Sequence, residues 1–321
     1  MPRRGTVQDA VAGGVWGLLI GDALGVPYEF QTGLDQSPLE MIDMPPPKGM
    51  SRSHSDAPAG AWSDDGAQAL CLLASLLDCG RLDVDDLGRR LLRWFDSGYM
   101  AVGGVVFDVG VQTHGALSAL RRGVAAERAG RGGERDNGNG SLMRVLPLAV
   151  WHRGSDEELV RDAARQSLVT HAHARSQVCC ALYCLWVRAT LHGVDEPWAD
   201  AARRFRGVAE SRPDWLVELD EHVRPELEPL GSGSGYVVDC LHSARLAATE
   251  GTFERVIRRA VSLGDDTDTT AAVAGGLAGV RYGLSGIPER WLGALSEPGL
   301  AEPLVARLLA HWEEPEEPKA R

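Results

Sequence analysis

An acidic stretch at residues 264–271 constrains this chain more than any other segment. Its sequence, Gly-Asp-Asp-Thr-Asp-Thr-Thr-Ala, places three carboxylates and three hydroxyls in six consecutive residues, directly ahead of a small apolar run that ends at Gly279. One Asp or Thr is enough to cap the first unpaired N–H groups of a helix. The other oxygens are hard ligands of the kind that Mg²⁺, Mn²⁺ or Ca²⁺ prefers. The stretch therefore predicts a cation site at a helix start, with helix capping as the alternative.

The register of the stretch excludes two common acidic motifs. An EF-hand loop that began at Asp266 would need Gly at its sixth position and Glu at its twelfth, where Ala271 and Leu277 stand. A prenyl-diphosphate DDxxD motif that began at Asp265 would need Asp in place of Thr269. The aromatic content of 6% is also low for a pocket that stabilises a carbocation.

A second acidic motif has the same pattern. Ser63, Asp64 and Asp65 end a loop, and an apolar helical run from 67 to 77 follows. If the two helix starts face each other, their carboxylates and hydroxyls form one oxygen cage for one or two divalent ions. The dipole at a helix N-terminus favours the ionised carboxylate, so these side chains are ready ligands at neutral pH. Two independent helix caps are the alternative that the sequence leaves open.

The hydrophobic pattern predicts an all-α protein, because few segments alternate with period two. A segment from 31 to 61, rich in Pro and Gly, predicts a long mobile loop. No shift in composition divides the chain, so we expect one domain over residues 1–321 with a mobile tail at about 314–321. Helices are predicted at 7–24, 67–77, 83–95, 108–122, 156–192 as a pair, 236–249, 252–263, after the acidic stretch, and near 300–313.

Composition and charge exclude several classes of protein. The 321 residues are 44% apolar, which is enough for a large core. A formal net charge of −12 argues against a general nucleic-acid binder, although an arginine patch can hold a small anion. The six cysteines lack C-x-x-C spacing and predict reduced core thiols in a cytoplasmic protein. We expect no membrane span, since no run reaches about 18 apolar residues, and Asp9 and Asp22 argue against a signal peptide.

Six segments together resemble the ADP-ribosylglycohydrolases. In chain order they are GDALGVPYEF (21–30), WSDDGA (62–67), DNGNGSLMR (136–144), THAH (170–173), GYVVDCL (235–241) and GDDTDTTAA (264–272). Each is weak alone, but their order through about residues 8–293 is specific. The resemblance implies a compact, single-domain orthogonal helical bundle of that family's type, with a binuclear Mg²⁺ or Mn²⁺ centre.

The resemblance also implies the metal ligands. Asp268 is expected to bridge both ions, and Asp65 and Asp266 are expected to serve catalysis as well. Ser63 stands where Thr is common and still supplies a hydroxyl, whereas Gly66 stands where many members have Thr, which puts one supporting hydrogen bond in doubt. The implied ligands are Ser63, Asp64, Asp65, Asp266, Asp268 and Thr269.

Two further acidic residues are candidates for proton transfer. Glu29, which follows the GDALG turn, corresponds to an acidic residue that the family places at the metal centre. There it would take a proton from water or bind a metal, and an exposed loop glutamate is the alternative. Asp108 is a weaker acid/base candidate, because a helix cap explains it equally well.

The substrate contacts that the resemblance implies centre on a glycine-rich loop, whose backbone N–H groups suit a diphosphate. Arg144 would add positive charge, His171 would hydrogen-bond a ribose hydroxyl or phosphate, and Tyr236 would stack on adenine. Ordinary packing explains His171 and Tyr236 nearly as well. The predicted contacts are Asn137, Gly138, Asn139, Gly140, Ser141, Arg144, His171 and Tyr236.

The function implied is that of a cytoplasmic, metal-dependent hydrolase that removes ADP-ribose from a modified protein or small molecule. Arginine-linked ADP-ribose is the expected substrate. Serine-linked ADP-ribose, O-acetyl-ADP-ribose, poly(ADP-ribose) and a modified nucleobase stay open, because loops 31–61 and 99–107 would choose the acceptor. A catalytically silent ADP-ribose binder or structural protein is the alternative from another class, and the intact acidic motifs argue against it.

Overall fold

The computed structural model describes residues 2–31, 34–36 and 38–313. These residues form an all-α fold, as predicted, with two isolated β-bridges and no strand among them. The predicted tail at 314–321 lies outside the described residues. The α-helices are α1 (Val7–Gly25), α2 (Asp64–Cys79), α3 (Val84–Ser97), α4 (Val111–Arg121), α5 (Leu146–Trp151), α6 (Asp156–Leu168), α7 (Ala174–Leu191), α8 (Pro197–Val208), α9 (Pro213–Val217), α10 (Val237–Ala247), α11 (Phe253–Ser262), α12 (Thr267–Tyr282), α13 (Glu289–Leu292) and α14 (Glu302–Glu313).

Helices α1 and α12 lie at the centre of the fold and pack with their backbones in contact. A Cβ atom added at Gly21 would lie 2.0 Å from the carbonyl oxygen of Ala271. One added at Gly279 would lie 1.9 Å from the carbonyl oxygen of Gly13. Only glycine fits such approaches, because any side chain would overlap the neighbouring backbone. The small residues of the two helices therefore set how closely they pack.

The end of α1 holds the starts of two other helices. The hydroxyl of Thr267 at the start of α12 donates to the carbonyl oxygen of Gly25 at 2.9 Å. The carboxylate of Asp22, one turn earlier, accepts the N–H groups of Ser63 at 2.8 Å and Gly66 at 2.7 Å. The two acidic motifs therefore begin their helices beside the same end of α1.

Helix α4 begins later than the sequence predicts. The prediction placed its start at 108, whereas the first helical residue is Val111 and the N-cap position is Gly110. Asp108 lies in the preceding loop with a φ of 55°, a left-handed conformation that Asp tolerates better than most residues. The alternative interpretation of Asp108 as a helix cap is therefore wrong.

The segment from 38 to 61, which was predicted to belong to a mobile loop, is anchored to the body of the protein. The hydroxyl of Tyr28 accepts the N–H of Asp43 at 2.9 Å and donates to its carbonyl oxygen at 3.0 Å. The indole N–H of Trp291 donates to the Asp43 carboxylate at 2.5 Å. Ile42 and Met44 are buried on either side. Within the described residues, this segment packs as part of the fold.

The segment Val7–Tyr28 meets the length and hydropathy of a membrane span, which the sequence analysis did not expect. It is 22 residues long with a mean hydropathy of 1.4, and 94% of its apolar window is buried inside the protein. A core helix of a globular protein has the same composition. The hydropathy of α1 therefore reflects its place at the centre of the helical bundle.

Candidate active site

A cavity of about 310 Å³ opens where the end of α1 and the starts of α2 and α12 meet. This volume is at the lower end of the usual range for small-molecule sites. The cavity has both acidic and glycine-rich walls. Its lining residues are Glu29, Phe30, Asp64, Asp108, Gly110, Val111, Gln112, Thr113, Gly138, Asn139, Gly140, Met143, His171, Gly235, Asp265, Asp266 and Thr269.

The two acidic motifs meet behind this cavity. The hydroxyl of Thr269 lies 3.4 Å from Oδ2 of Asp65, and the hydroxyl of Ser63 lies 3.2 Å from the same atom. Carboxylate oxygens of Glu29, Asp266 and Asp268 lie within 4.8 Å of one another. The predicted approach of the two motifs is therefore present in the structure, and Glu29 joins them rather than pointing to solvent.

Neighbouring amide side chains fix the carboxylates in place. Gln68 donates to Oδ2 of Asp64 at 2.7 Å from the next turn of α2. Asn139 donates to Oδ2 of Asp266 at 2.8 Å across 127 residues of sequence. Each of these carboxylates keeps its other oxygen for a further contact. The glycine-rich loop and the acidic motif of α12 are thereby joined into one site.

Burial raises the pKa values of the clustered carboxyl groups. The pKa of Glu29 rises to about 9, because burial removes water and the carboxylates of Asp108 and Asp266 repel its charge. Burial likewise raises the pKa of Asp22 to about 7, against the two backbone N–H groups that lower it. The other carboxyl groups with pKa values well above the ordinary range, first through burial, are Asp64, Asp65 and Asp268. So many buried acids in one place favour a bound cation.

The available oxygen atoms fit a hard divalent ion. Oδ1 of Asp65 and Oδ2 of Asp268 are buried without a hydrogen-bond partner among the described residues. A buried carboxylate oxygen without a donor is costly unless a cation replaces the water it has lost. Because the nearest groups are carboxylates and hydroxyls, the donor set suits a hard divalent ion such as Mg²⁺, Mn²⁺ or Ca²⁺ rather than a softer metal.

His54 joins the site, although the sequence analysis did not select it. Its Nε2 atom lies 2.5 Å from Oε2 of Glu29 and 4.0 Å from Oδ1 of Asp108. Its ring centroid lies 5.3 Å from that of Phe107. The histidine comes from the anchored segment before α2, where no motif marks it. Contact with Glu29 across 25 residues is visible only in the folded chain.

The glycine-rich loop presents fewer free N–H groups than predicted. The N–H of Gly138 donates to the side chain of Gln112 at 2.7 Å, and that of Asn139 donates to the carbonyl oxygen of Gly235 at 3.1 Å. A Cβ atom added at Gly140 would lie 2.8 Å from Cε1 of His171. Gly140 is therefore explained by its packing against the His171 ring, without a role in ligand binding.

His171 lines the cavity as a neutral ring. Burial, together with the positive charge of Arg144, lowers its pKa to about 3. Its Nδ1 atom lies 2.8 Å from the hydroxyl of Thr170, so the opposite ring edge is the one that faces Gly140. The ring can offer a hydrogen bond to a ligand but brings no charge at neutral pH.

Four predicted substrate contacts do not line the cavity, and three of these four are buried. The guanidinium of Arg144 is fully buried and donates to the side chains of Gln166 and Gln68, each at 3.0 Å, and to the carbonyl oxygen of Gly140 at 3.3 Å. Because these acceptors use its N–H groups, the structure corrects the prediction that Arg144 touches the ligand. It holds Gln68, which in turn donates to the Asp64 carboxylate. The other two buried residues are Asn137 and Ser141, which lie beside the loop.

Tyr236 lies beside the glycine-rich loop without lining the cavity. It pairs with Gly138 through an isolated β-bridge, and its side chain is 39% exposed. Arg175 donates to its hydroxyl at 3.2 Å. The proposed stacking of Tyr236 on adenine therefore stays a prediction.

The family model for ADP-ribosylglycohydrolases matches residues 3–318 of the chain, beyond both ends of the segment spanned by the six motifs. The chain belongs to this family. It is therefore a glycohydrolase, and the all-α fold described above is that of the family.

Relatives of the glycohydrolase include two bacterial proteins that are named as hydrolases of ADP-ribosylated substrates. The ADP-ribosylarginine hydrolase Tri1 of Pseudomonas putida is 34% identical over 88% of this chain and 73% of its own length. The ADP-ribosyl-[dinitrogen reductase] glycohydrolase of Rhodospirillum rubrum is 29% identical over 90% of this chain and 91% of its own length. A solved structure, of an ADP-ribosylglycohydrolase-related protein complex, aligns with a TM-score of 0.75 and 32% identity, and covers 96% of this chain and 98% of that chain.

Proposed function

We propose that this glycohydrolase cleaves the bond between ADP-ribose and the guanidine nitrogen of an arginine side chain, with the help of two divalent cations, Mg²⁺ or Mn²⁺. The contact between Asp65 and Thr269, behind a cavity that is lined by Glu29 and by the glycine-rich loop, carries the proposal. The arginine linkage is supported by the Pseudomonas relative, an ADP-ribosylarginine hydrolase that is 34% identical over 88% of this chain. The ligands proposed for the ions are Ser63, Asp64, Asp65, Asp266, Asp268 and Thr269, with Glu29 adjacent.

The reaction is a hydrolysis at the anomeric carbon of ribose. Water adds to that carbon, its bond to the guanidine nitrogen breaks, and one proton passes from the water to the leaving nitrogen. The transition state has oxocarbenium character, so the ribose must be held and the water must be oriented. When bound, a pair of divalent ions orients vicinal hydroxyls and acidifies a water.

The protein's own side chains position the reacting groups. Glu29 is the group that accepts a proton from water, and His54 at 2.5 Å keeps its carboxyl directed into the cavity. Asn139 holds Asp266 in place through its amide. Neutral His171 offers a hydrogen bond to the ribose or phosphate without adding a charge.

The partners follow from this chemistry. The substrate is an ADP-ribosylated protein or small molecule, and the product that stays in the cavity is ADP-ribose. We place the protein in the cytoplasm on the basis of its six cysteines, all of them free thiols and five of them buried. Fractionation of cells that express the protein would test this location.

The experiment that tests the function measures release of free ADP-ribose. Purified protein is incubated with ADP-ribosylarginine with Mg²⁺, with Mn²⁺ and with EDTA, in parallel with serine-linked ADP-ribose, O-acetyl-ADP-ribose, poly(ADP-ribose) and an ADP-ribosylated nucleobase. We expect release from the arginine linkage that requires a divalent ion and disappears in the double variant Asp266→Ala, Asp268→Ala. Metal-independent release, or release from another linkage alone, would contradict the proposal. Tight ADP-ribose binding without any release would favour a silent binder.

A further inference from the structure

We infer that Phe30 and Asp265 form the subsite that recognises a cationic acceptor, the guanidinium group of arginine, at the opening of the cavity. The inference rests on the proposed function and adds to it the residues that select the leaving group. Neither residue has a part in holding the metal ions or the diphosphate in the arrangement described above. Both line the same cavity as Glu29 and Asp266.

Phe30 presents an aromatic ring to solvent at the reaction centre. It directly follows Glu29 in the chain, lines the cavity and is 64% exposed. Its φ is 56°, a left-handed conformation that is unfavourable for an L-residue. A hydrogen bond from its N–H to the carbonyl oxygen of Asp265, at 2.8 Å, holds it there. The ring is therefore kept beside Glu29 by the fold and not by burial of its own surface.

Asp265 lines the same cavity as this ring. It is exposed and also has a left-handed φ, of 57°. Within residues 2–31, 34–36 and 38–313, no arginine or lysine forms an ion pair with it. Its neighbour Asp266, and not Asp265, lies within 4.8 Å of the Glu29 and Asp268 oxygens. The Asp265 carboxylate therefore remains available to a positively charged group of the substrate.

The negative charge on the part of the cavity lined by Phe30, Asp265 and Asp108 decides which part of the substrate can bind there. A diphosphate is repelled by the carboxylates of Asp265 and Asp108, so that part of ADP-ribose must lie elsewhere in the cavity. A guanidinium is attracted, because its planar face stacks on an aromatic ring and its edge donates paired hydrogen bonds to a carboxylate. A serine hydroxyl gains neither interaction. Phe30 and Asp265 together therefore favour arginine over a neutral acceptor.

The test compares acceptor selectivity in variants that keep the backbone conformation. Phe30→Leu keeps an apolar side chain of similar bulk but loses the ring, and Phe30→Tyr keeps the ring. Asp265→Asn removes the charge, and Asn tolerates the left-handed conformation. The controls, Leu227→Ala and Asp85→Asn, alter an exposed apolar and an exposed acidic residue that do not line the cavity.

The variants are assayed for kcat/KM on arginine-linked and on serine-linked ADP-ribose, for inhibition by arginine methyl ester, and for ADP-ribose affinity by calorimetry. We expect Phe30→Leu and Asp265→Asn each to lower the arginine-to-serine ratio of kcat/KM by about tenfold and to weaken inhibition by the ester similarly. Both variants should keep the ADP-ribose affinity and the melting temperature of the wild type. Phe30→Tyr and the two controls should also keep the selectivity ratio of the wild type.

The outcomes separate this inference from the function on which it rests. If the wild type releases ADP-ribose from arginine but the two variants keep its selectivity ratio and its inhibition by the ester, the subsite assignment is wrong and the proposed function stands. If the wild type releases nothing from the arginine linkage, both fail. An equal loss on both substrates, with weaker ADP-ribose binding, would show that Phe30 and Asp265 support the cavity in general and would also overturn the assignment.

Discussion

The hydroxyl oxygen of Thr269 lies 3.4 Å from Oδ2 of Asp65, although 204 residues separate the two in the chain. Each of them occupies the first turn of a helix, and both helices start beside the end of α1. The contact brings together two acidic motifs that would repel each other without a cation. We therefore expect the stability of the protein to depend on metal binding.

Divalent ions should stabilise the folded protein. An ion that binds only the native state at about 100 times its Kd adds about 2.7 kcal/mol. For a chain of this size that corresponds to a rise of about 5 °C in the melting temperature. Thermal unfolding with EDTA and with saturating Mn²⁺ measures the shift. An unchanged melting temperature at every Mn²⁺ concentration would contradict a buried cation site.

Removal of one buried charge should separate apo stability from metal affinity. Asp268→Asn takes away a carboxylate that is fully buried among other acids. We expect a higher melting temperature in EDTA, because repulsion falls, and a loss of Mn²⁺ affinity of at least about tenfold. Asp85→Asn, on the exposed side of α3, is the matched control and should change neither quantity. Calorimetric titration with Mn²⁺ and thermal scans in EDTA provide the two measurements.

The metal-free protein should lose stability as pH rises. The Glu29 carboxyl has its pKa raised from 4.5 to about 9, and that of Asp22 is raised from 3.8 to about 7. Between these values the native state binds more protons than the unfolded state, so the free energy of unfolding falls with increasing pH. The stabilisation is complete below about pH 4 and is lost as pH passes through the raised pKa values.

Urea unfolding in EDTA between about pH 5 and pH 9 measures this slope. Glu29→Gln should make it shallower, because one of the carboxyl groups with a raised pKa is removed. Saturating Mg²⁺ should also flatten it, since the ion favours the ionised carboxylates. A free energy of unfolding that rises with pH in EDTA would show that the carboxyl groups are ionised in the native metal-free protein.

His54 should act as a positioning residue for Glu29. His54→Ala removes the group 2.5 Å from Oε2 of Glu29, and we expect kcat to fall by about tenfold to a hundredfold with little change in KM. His54→Gln keeps a hydrogen-bond donor and should recover part of the loss. His222→Ala, on a partly exposed histidine that does not line the cavity, is the control. A rise in KM with unchanged kcat would instead place His54 in substrate binding.

The glycines between α1 and α12 should be essential for both stability and the site. Gly21→Ala would place a Cβ atom 2.0 Å from the carbonyl oxygen of Ala271, and we expect a loss of about 3 kcal/mol or more as the helices separate. Mn²⁺ affinity should fall as well, because α12 carries part of the site. Gly207→Ala in α8, where the added atom meets nothing within 4 Å, should stabilise the protein by about 0.5–1 kcal/mol. Urea unfolding compares the two.

The sequence predicted those features that depend on a local pattern of residues. Helical spacing predicted most of the helices, and the oxygen-rich starts of α2 and α12 marked the acidic half of the cavity. It was less successful in predicting side-chain contacts between segments that are distant in the chain. Arg144 was expected to touch the ligand because it follows a glycine-rich loop, yet Gln68 and Gln166 occupy its N–H groups. The position of Arg144 after the loop does not indicate that these two distant glutamines accept its hydrogen bonds.

By itself the sequence determined the chemistry of the site: carboxylate and hydroxyl oxygens at two helix starts, and glycines that let α1 and α12 touch. Only the tertiary structure decided which groups share the cavity, and it added His54 to Glu29 and Phe30 to Asp265. It also decided how strongly these groups are perturbed, since the raised pKa of Glu29 comes first from burial. Residue identity fixes what a side chain can donate or accept, whereas loss of water and approach of distant charges depend on the whole chain being folded.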